Sequence, residues 1–134
     1  MTKKVLVLSA SFRKHGNSDM LCDRFIQGAR EAGNEVEKIY VSDMRIGYCR
    51  GCGVCNRTHK CVQNDDMAAV LDKMVAADVI VMATPVYFYS MNGQLKTLID
   101  RTVPRYEEIR GKDFYYIVAA ADDNRDNMRR TIEG

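Results

Sequence analysis

Three groups of residues in this sequence have types and spacings that could do chemistry. The first is Ser9-Ala10-Ser11-Phe12-Arg13-Lys14-His15-Gly16-Asn17-Ser18. A phosphate monoester needs several donors converging on one point, and a helix N-terminus offers free backbone N–H groups and a favourable dipole. Ser11 and Ser18 would add hydroxyls, Asn17 an amide and Arg13 a charged fork suited to phosphate oxygens. Gly16 would let the backbone turn and approach closely. The alternative is an ordinary polar connection with Ser18 as a helix cap; His15 reads as a solvated loop histidine. There is no Gly-Lys-Ser/Thr and no G-x-G-x-x-G, which excludes a nucleoside-triphosphate loop and a dinucleotide fingerprint. The second group is Thr84-Pro85-Val86-Tyr87-Phe88-Tyr89-Ser90-Met91-Asn92-Gly93, where three aromatics beside a Pro and a Met supply flat apolar surface for a planar ring. A buried aromatic corner packed on its own helix is the competing reading. The third is Cys49-x2-Cys52-x2-Cys55-x5-Cys61, a compact set of thiols able to ligate metal or do redox work.

Positioning these groups requires an alternation of strand and helix. Val5 to Leu8 is a continuous apolar run of the kind buried on both faces of a parallel sheet. A helix is expected from near Ser18, with Leu21, Phe25, Gly28 and Ala32 at helical spacing, stopping at Gly33-Asn34. Val36 to Val41 reads as an edge strand. Ser42 to Asn64 shows no periodicity, and a loop of that length in a small domain is usually functional. Asp65-Asp66 can cap a helix bearing Met67, Val70, Leu71 and Met74 on one face. Val79 to Ala83 is a second buried strand, stopped by Thr84-Pro85 and followed by a helix from Gly93 to Arg101. Phe114 to Ala121 makes a fourth strand, and Asn124 opens a helix. Such an order predicts a mostly parallel sheet covered on both faces, with ligands at the carboxyl ends of the strands.

Composition narrows the classes. The chain has 134 residues, 46% hydrophobic and 28% charged, enough for one domain with a proper core. A net charge of +2, with Lys and Arg interspersed among Asp and Glu, argues against nucleic-acid or membrane partners. No run spans a bilayer and the N-terminus has no signal-peptide pattern, so a cytoplasmic location is expected. Five cysteines there should be thiols, metal ligands or redox groups and not disulfides. Cys22 reads as a small buried residue.

Together, Ser11-x-Arg13-x-x-Gly16-Asn17-Ser18, the segment Cys49 to Met67, and Thr84-Pro85-Val86-Tyr87 through Leu98-Ile99-Asp100-Arg101 resemble the flavodoxin-like NAD(P)H-dependent FMN reductase family, including its multimeric-flavodoxin and iron–sulfur flavoprotein branches. The resemblance implies an α/β fold, a flavodoxin-like doubly wound parallel sheet with strand order 2-1-3-4. A single domain over 1–134 is expected, lacking the fifth strand and closing helix of a complete relative. It further implies FMN, with the phosphate on Ser11, Arg13, Asn17 and Ser18 beside Gly16. The ring would lie on Pro85, Val86, Tyr87, Phe88, Tyr89, Ser90 and Met91, with a further contact from Ala121-Asp122. Phe12 stands where many relatives have Pro.

The activity so implied passes hydride or electrons from NAD(P)H through FMN to a small acceptor such as a quinone or flavin. No nicotinamide motif is visible, and no catalytic side chain is needed because the flavin carries the redox chemistry. The family also implies a homo-oligomer, dimer or tetramer. For the cysteines, the two-two-five spacing resembles ferredoxin-type loops, though no Pro follows Cys61. Free or redox-active thiols are the expectation, with no metal ligand assigned. A 4Fe-4S cluster on Cys49, Cys52, Cys55 and Cys61, making the protein an iron–sulfur electron carrier, is the alternative. Zinc, which favours two separated pairs, comes behind both. A cofactor-free truncated remnant is the third functional reading.

Overall fold

The apolar run Val5 to Leu8 alternates between two faces, and that alternation layers the domain. The computed structural model describes residues 1–121 and 123–133. In chain order its main elements are β1 (Lys4–Ser9), α1 (Asn17–Glu31), β2 (Glu35–Tyr40), α2 (Cys55–Thr58), α3 (Met67–Ala76), β3 (Val79–Tyr87), β4 (Ser90–Met91), α4 (Gly93–Asp100), α5 (Tyr106–Ile109), β5 (Asp113–Ala119) and α6 (Arg125–Glu133). Val5 and Val7 of β1 pack with Val79 and Val81 of β3 against Cys22 and Ile26 of α1. Leu6 and Leu8 enter a larger cluster on the other face with Val70, Leu71, Met74, Leu95 and Leu98 from α3 and α4. Burial on both sides is why the run carries no polar residue.

β1 pairs in parallel with β2 and β3, and β3 with β5, giving the order β2-β1-β3-β5. Counting the long strands alone, this is the expected 2-1-3-4. The expectation of no fifth strand needs correcting: β4 is one, a two-residue strand antiparallel to the end of β3. Among the described residues β5 pairs with β3 alone, and Tyr115 and Tyr116 on it stay about half exposed.

Two local expectations fail for identifiable reasons, and a third is met by one residue of its pair. Thr84-Pro85 does not end β3, which continues to Tyr87 with Pro85 opposite Ala119. β1 leaves the sheet at Ser9, opposite Ala83, so a residue without an N–H can lie on the open side beyond it. On α1 the buried residues are Ser18, Asp19, Cys22 and Ile26, while Leu21 is exposed. The helix is rotated because Asp19, fully buried, anchors the preceding loop. At α3 the carboxylate that meets the helix start is Asp65, whose Oδ1 accepts the Met67 N–H at 3.1 Å; Asp66 instead accepts from the Arg45 N–H at 2.6 Å. Met67, Val70, Leu71 and Met74 are buried as the spacing requires. No helix among the described residues is long and apolar enough to cross a membrane.

Candidate functional site

The loop from Ala10 to Gly16 is held from below by Asp19. Its carboxylate accepts from Ser9 Oγ at 2.9 Å and from the His15 N–H at 2.8 Å, and it pairs with Lys38 Nζ at 2.6 Å. Burial pushes the Asp19 carboxyl up, but the hydrogen bonds from Lys38, His15 and Ser9 outweigh it and hold it below the usual range. His15, Asp19 and Asp23 bring ligand atoms within 4.8 Å of one another, yet Lys38 already supplies the cation there, 2.7 Å from Asp23. The structural work of Asp19 could have been suspected from a carboxylate in the first turn of a helix, where the dipole favours it.

The turn itself is made at His15, with φ +66°, and not at Gly16, which is the N-cap with φ −73°. Gly16 contributes close approach: a Cβ there would lie 3.0 Å from the Arg13 carbonyl oxygen, whose hydrogen bond from the Gly16 N–H measures 3.0 Å. Ser11 is buried and its Oγ accepts from the Arg13 N–H at 3.1 Å. Ser18 is buried at the start of α1, while Arg13 and Asn17 are exposed. The opening N–H groups of α1 have no partner one turn earlier within the helix and face the loop.

Beside this loop, β3 and β4 form a hairpin that the sequence did not announce. Phe88 and Tyr89 occupy its two turn positions at φ +49° and +65°, the geometry of a type I′ turn that normally uses Asn-Gly. Bulky residues in the left-handed region store strain of about 1 kcal/mol or more each. Their rings are exposed at 95% and 74%, and Tyr87 at 51%, so the reading as a buried aromatic corner is overturned. Pro85, Val86 and Met91 are half-buried behind them, and Ser90 is exposed. Val86, Phe88 and Tyr89 share a groove of about 200 Å³ with Ala120, Ala121 and Met128. The loop after β5 therefore reaches the same region; Asp122 lies outside the described residues. Replacing Phe88 by Asn and Tyr89 by Gly together should raise stability by about 1–2 kcal/mol in urea denaturation, by removing the strain. A double variant no more stable than the parent would show that the turn stores none.

Asn92 joins the two loops, and sequence reasoning missed it as a site residue. It is 1% exposed. Its Nδ2 donates to the Ala10 carbonyl at 2.7 Å, while its Oδ1 accepts from the Leu95 N–H at 3.1 Å as the cap of α4. Its own N–H donates to Thr84 Oγ1 at 3.0 Å, and the Ala10 N–H donates to the Ala83 carbonyl at 2.9 Å. Both backbone groups of Ala10 are thereby tied to β3 and its hairpin. The signal was an Asn directly before a helix.

The four clustered cysteines line one cavity of about 350 Å³, with Arg50, Arg101 and Pro104 on its wall. Cys49 and Cys52 are exposed, and Cys55 and Cys61 half-buried. Gly51 at φ +66° and Gly53 at φ +76° let the chain wrap tightly around Cys52. A tetrahedral zinc, with Zn–S of about 2.3 Å, needs thiolate sulfurs about 4 Å apart. Among the described residues no three of these sulfurs lie within 4.8 Å of one another. A 4Fe-4S cluster takes each thiolate at a different corner and so does not require the sulfurs to lie that close. Cys22 is unlike the other four: it is fully buried, and burial pushes its thiol up to about 11, as expected of an inert core residue.

Behind the cavity, Arg101 and Asp65 form a forked pair at 2.8 and 3.0 Å, with Arg101 2% exposed. Asp65 also accepts from the Gly47 N–H at 2.9 Å, and Arg101 donates to the Gly47 carbonyl at 2.8 Å. The Arg101 guanidinium holds the Asp65 carboxyl at about 2 despite burial, helped by the Gly47 and Met67 N–H groups. Asp65, with a smaller part from Cys61, in turn raises Arg101 above its ordinary value.

A donor-rich helix start and an exposed aromatic hairpin lie side by side at the carboxyl ends of β1 and β3, in a doubly wound α/β domain, at the point where strand order reverses and where such sheets in general take ligands. Residues 3–129 match the family described as NADPH-dependent FMN reductase, and the chain belongs to that family. It is 38% identical over 101 residues to an iron-sulfur flavoprotein of Archaeoglobus fulgidus, covering 75% of this chain and 46% of the relative. The fold is similar to the crystal structure of RosB with bound 8-demethyl-8-formylriboflavin-5′-phosphate, with a TM-score of 0.78 at 19% identity over 98% of this chain and 57% of that one. It is similar too to an NAD(P)H:quinone oxidoreductase from Methanothermobacter marburgensis, with a TM-score of 0.75 at 16% identity over 98% of this chain and 70% of that one. The chain spans about half the length of the curated relatives it matches: 46% of the Archaeoglobus fulgidus protein and 52% each of iron-sulfur flavoproteins of Methanosarcina thermophila and Methanocaldococcus jannaschii.

Proposed function

We propose that this domain binds FMN and serves an NAD(P)H-dependent oxidoreductase that reduces a small acceptor such as a quinone or a flavin. The observation that carries the reading is the Asn92 bridge, which fixes a phosphate-type loop beside an exposed aromatic hairpin. Ser11, Arg13, Asn17 and Ser18 would hold the phosphate, with Gly16 keeping the backbone close. Pro85, Val86, Tyr87, Phe88, Tyr89, Ser90 and Met91 would hold the ring. A bound flavin supplies hydride and single-electron chemistry; the residues bind it, orient it and exclude water from one face. Calorimetric titration with FMN and with riboflavin tests this. Arg13→Ala is expected to weaken FMN binding about 10- to 100-fold, the value of a charge-assisted hydrogen bond, and to leave riboflavin binding nearly unchanged. No heat with FMN, or an Arg13→Ala variant that binds FMN as the parent does, would sink the proposal.

A second reading is favoured by the convergence of Cys49, Cys52, Cys55 and Cys61 on one cavity. In it these thiolates hold a 4Fe-4S cluster, and the protein relays single electrons between the flavin and a partner. The name of the Archaeoglobus relative supports it. Anaerobic purification followed by iron and acid-labile sulfide analysis tests it: about four of each per chain are expected, and a metal-free chain would leave the thiols redox-active or free. We further read the open side of β5, with Tyr115 and Tyr116, as a surface covered in a homo-oligomer, for which light scattering is the check.

A further inference from the structure

Arg101 carries a buried donor that no acceptor among the described residues meets in good hydrogen-bond geometry, while the Cys61 thiol is near enough to be among the groups that raise the guanidinium. Its two terminal nitrogens are engaged by Asp65 and the Gly47 carbonyl, while Nε is buried with no hydrogen-bond partner. At 2% exposure the side chain has little access to water, so an unmade bond there is costly. Arg101 lines the cysteine cavity, and with Cys61 and Gln63 it also lines the neighbouring cavity of about 420 Å³. It thus stands in the wall behind Cys61. The Cys61 sulfur already accepts the Gln63 N–H at 3.4 Å, and a thiolate has room for more donors.

We propose that Arg101 is a tuning residue of the cysteine site, its Nε–H donating to the Cys61 thiolate when a 4Fe-4S cluster is held there. The inference rests on the cluster reading above. Reduction adds one electron to the cluster and neither makes nor breaks a bond, so a nearby donor and positive charge favour the reduced form. Arg101 should therefore raise the reduction potential.

The test uses the full chain, reconstituted anaerobically with ferrous iron and sulfide, assayed for iron and titrated with dithionite under EPR. Arg101→Lys keeps the charge and a contact to Asp65 but loses the forked donor. It is expected to weaken the one-electron reduction equilibrium about tenfold, a downward shift of about 59 mV. Asp65→Asn removes a compensating negative charge instead and should shift the potential upward, which separates tuning from mere support of the loop. Should Arg101→Lys fail to fold, the parent protein grown with ¹⁵Nε-arginine, with Arg50→Lys to silence the other cavity arginine, is examined by pulsed EPR. A resolved ¹⁵N coupling in the reduced state is expected. An iron-loaded protein whose potential ignores Arg101→Lys, or which shows no such coupling, overturns this inference alone. A protein that takes up no iron overturns the cluster reading and this inference with it.

Discussion

Asp65→Ala should be the most damaging single change in this domain, lowering stability by about 3–5 kcal/mol at neutral pH in urea denaturation. The figure follows from what the substitution strands. Arg101, 2% exposed, would keep its charge with no carboxylate to neutralise it, and the Gly47 and Met67 N–H groups would lose their acceptor. The effect should also depend on pH, with a definite sign. The folded-state value of about 2 lies below the ordinary 3.8, so ionised Asp65 favours the folded chain. That contribution, about 2 kcal/mol, is complete above about pH 5 and is lost as pH falls through about 2. The gap in stability between parent and Asp65→Ala should therefore narrow on acidification. A gap that stays constant from pH 7 to pH 3 would mean that the pair is not ionised as described. Because Asp65 and Arg101 clasp Gly47, the variant should also loosen the start of the cysteine loop, read as faster amide exchange there.

What could be read from the residues, and what could not, divides along physical lines. Val5 to Leu8 and Val79 to Ala83 were legible because burial on both faces leaves an uninterrupted apolar run that few other elements produce. The helix bearing Met67, Val70, Leu71 and Met74 was legible because its apolar stripe is clean. The stripe of α1 was misassigned because half of its buried face is polar: Ser18 and Asp19 are buried for the sake of the loop, and periodicity counts apolar residues only. The β3–β4 hairpin escaped because its turn uses Phe88-Tyr89, against every turn preference. Local rules fail where strained or buried polar residues are held, and both of these failures fall at the candidate site. The loop from Ser9 to Ser18 was legible as a set of donors, but not the means of fixing it. Asn92 lies 82 residues from Ala10 in sequence, and no local pattern reports so distant a hydrogen bond.

Removing that bond makes the second large prediction. Asn92→Ala should cost about 2–4 kcal/mol: about 1 for the lost helix cap, and about 1–3 for leaving the buried Ala10 carbonyl without its donor. Asn92→Asp separates the two contributions. A carboxylate still accepts the Leu95 N–H, so the cap of α4 survives, but it cannot donate to Ala10 and sets two acceptors against each other in a 1%-exposed position. Both variants should therefore lose more FMN affinity than their change in stability alone accounts for, because the bridge sets the spacing of the donor loop from the aromatic hairpin. In calorimetry the loss should appear for FMN, which would span both loops. It should be smaller for inorganic phosphate, which would touch only the first. Equal losses for FMN and phosphate would show that Asn92 supports the first loop alone and does not set the distance between the two.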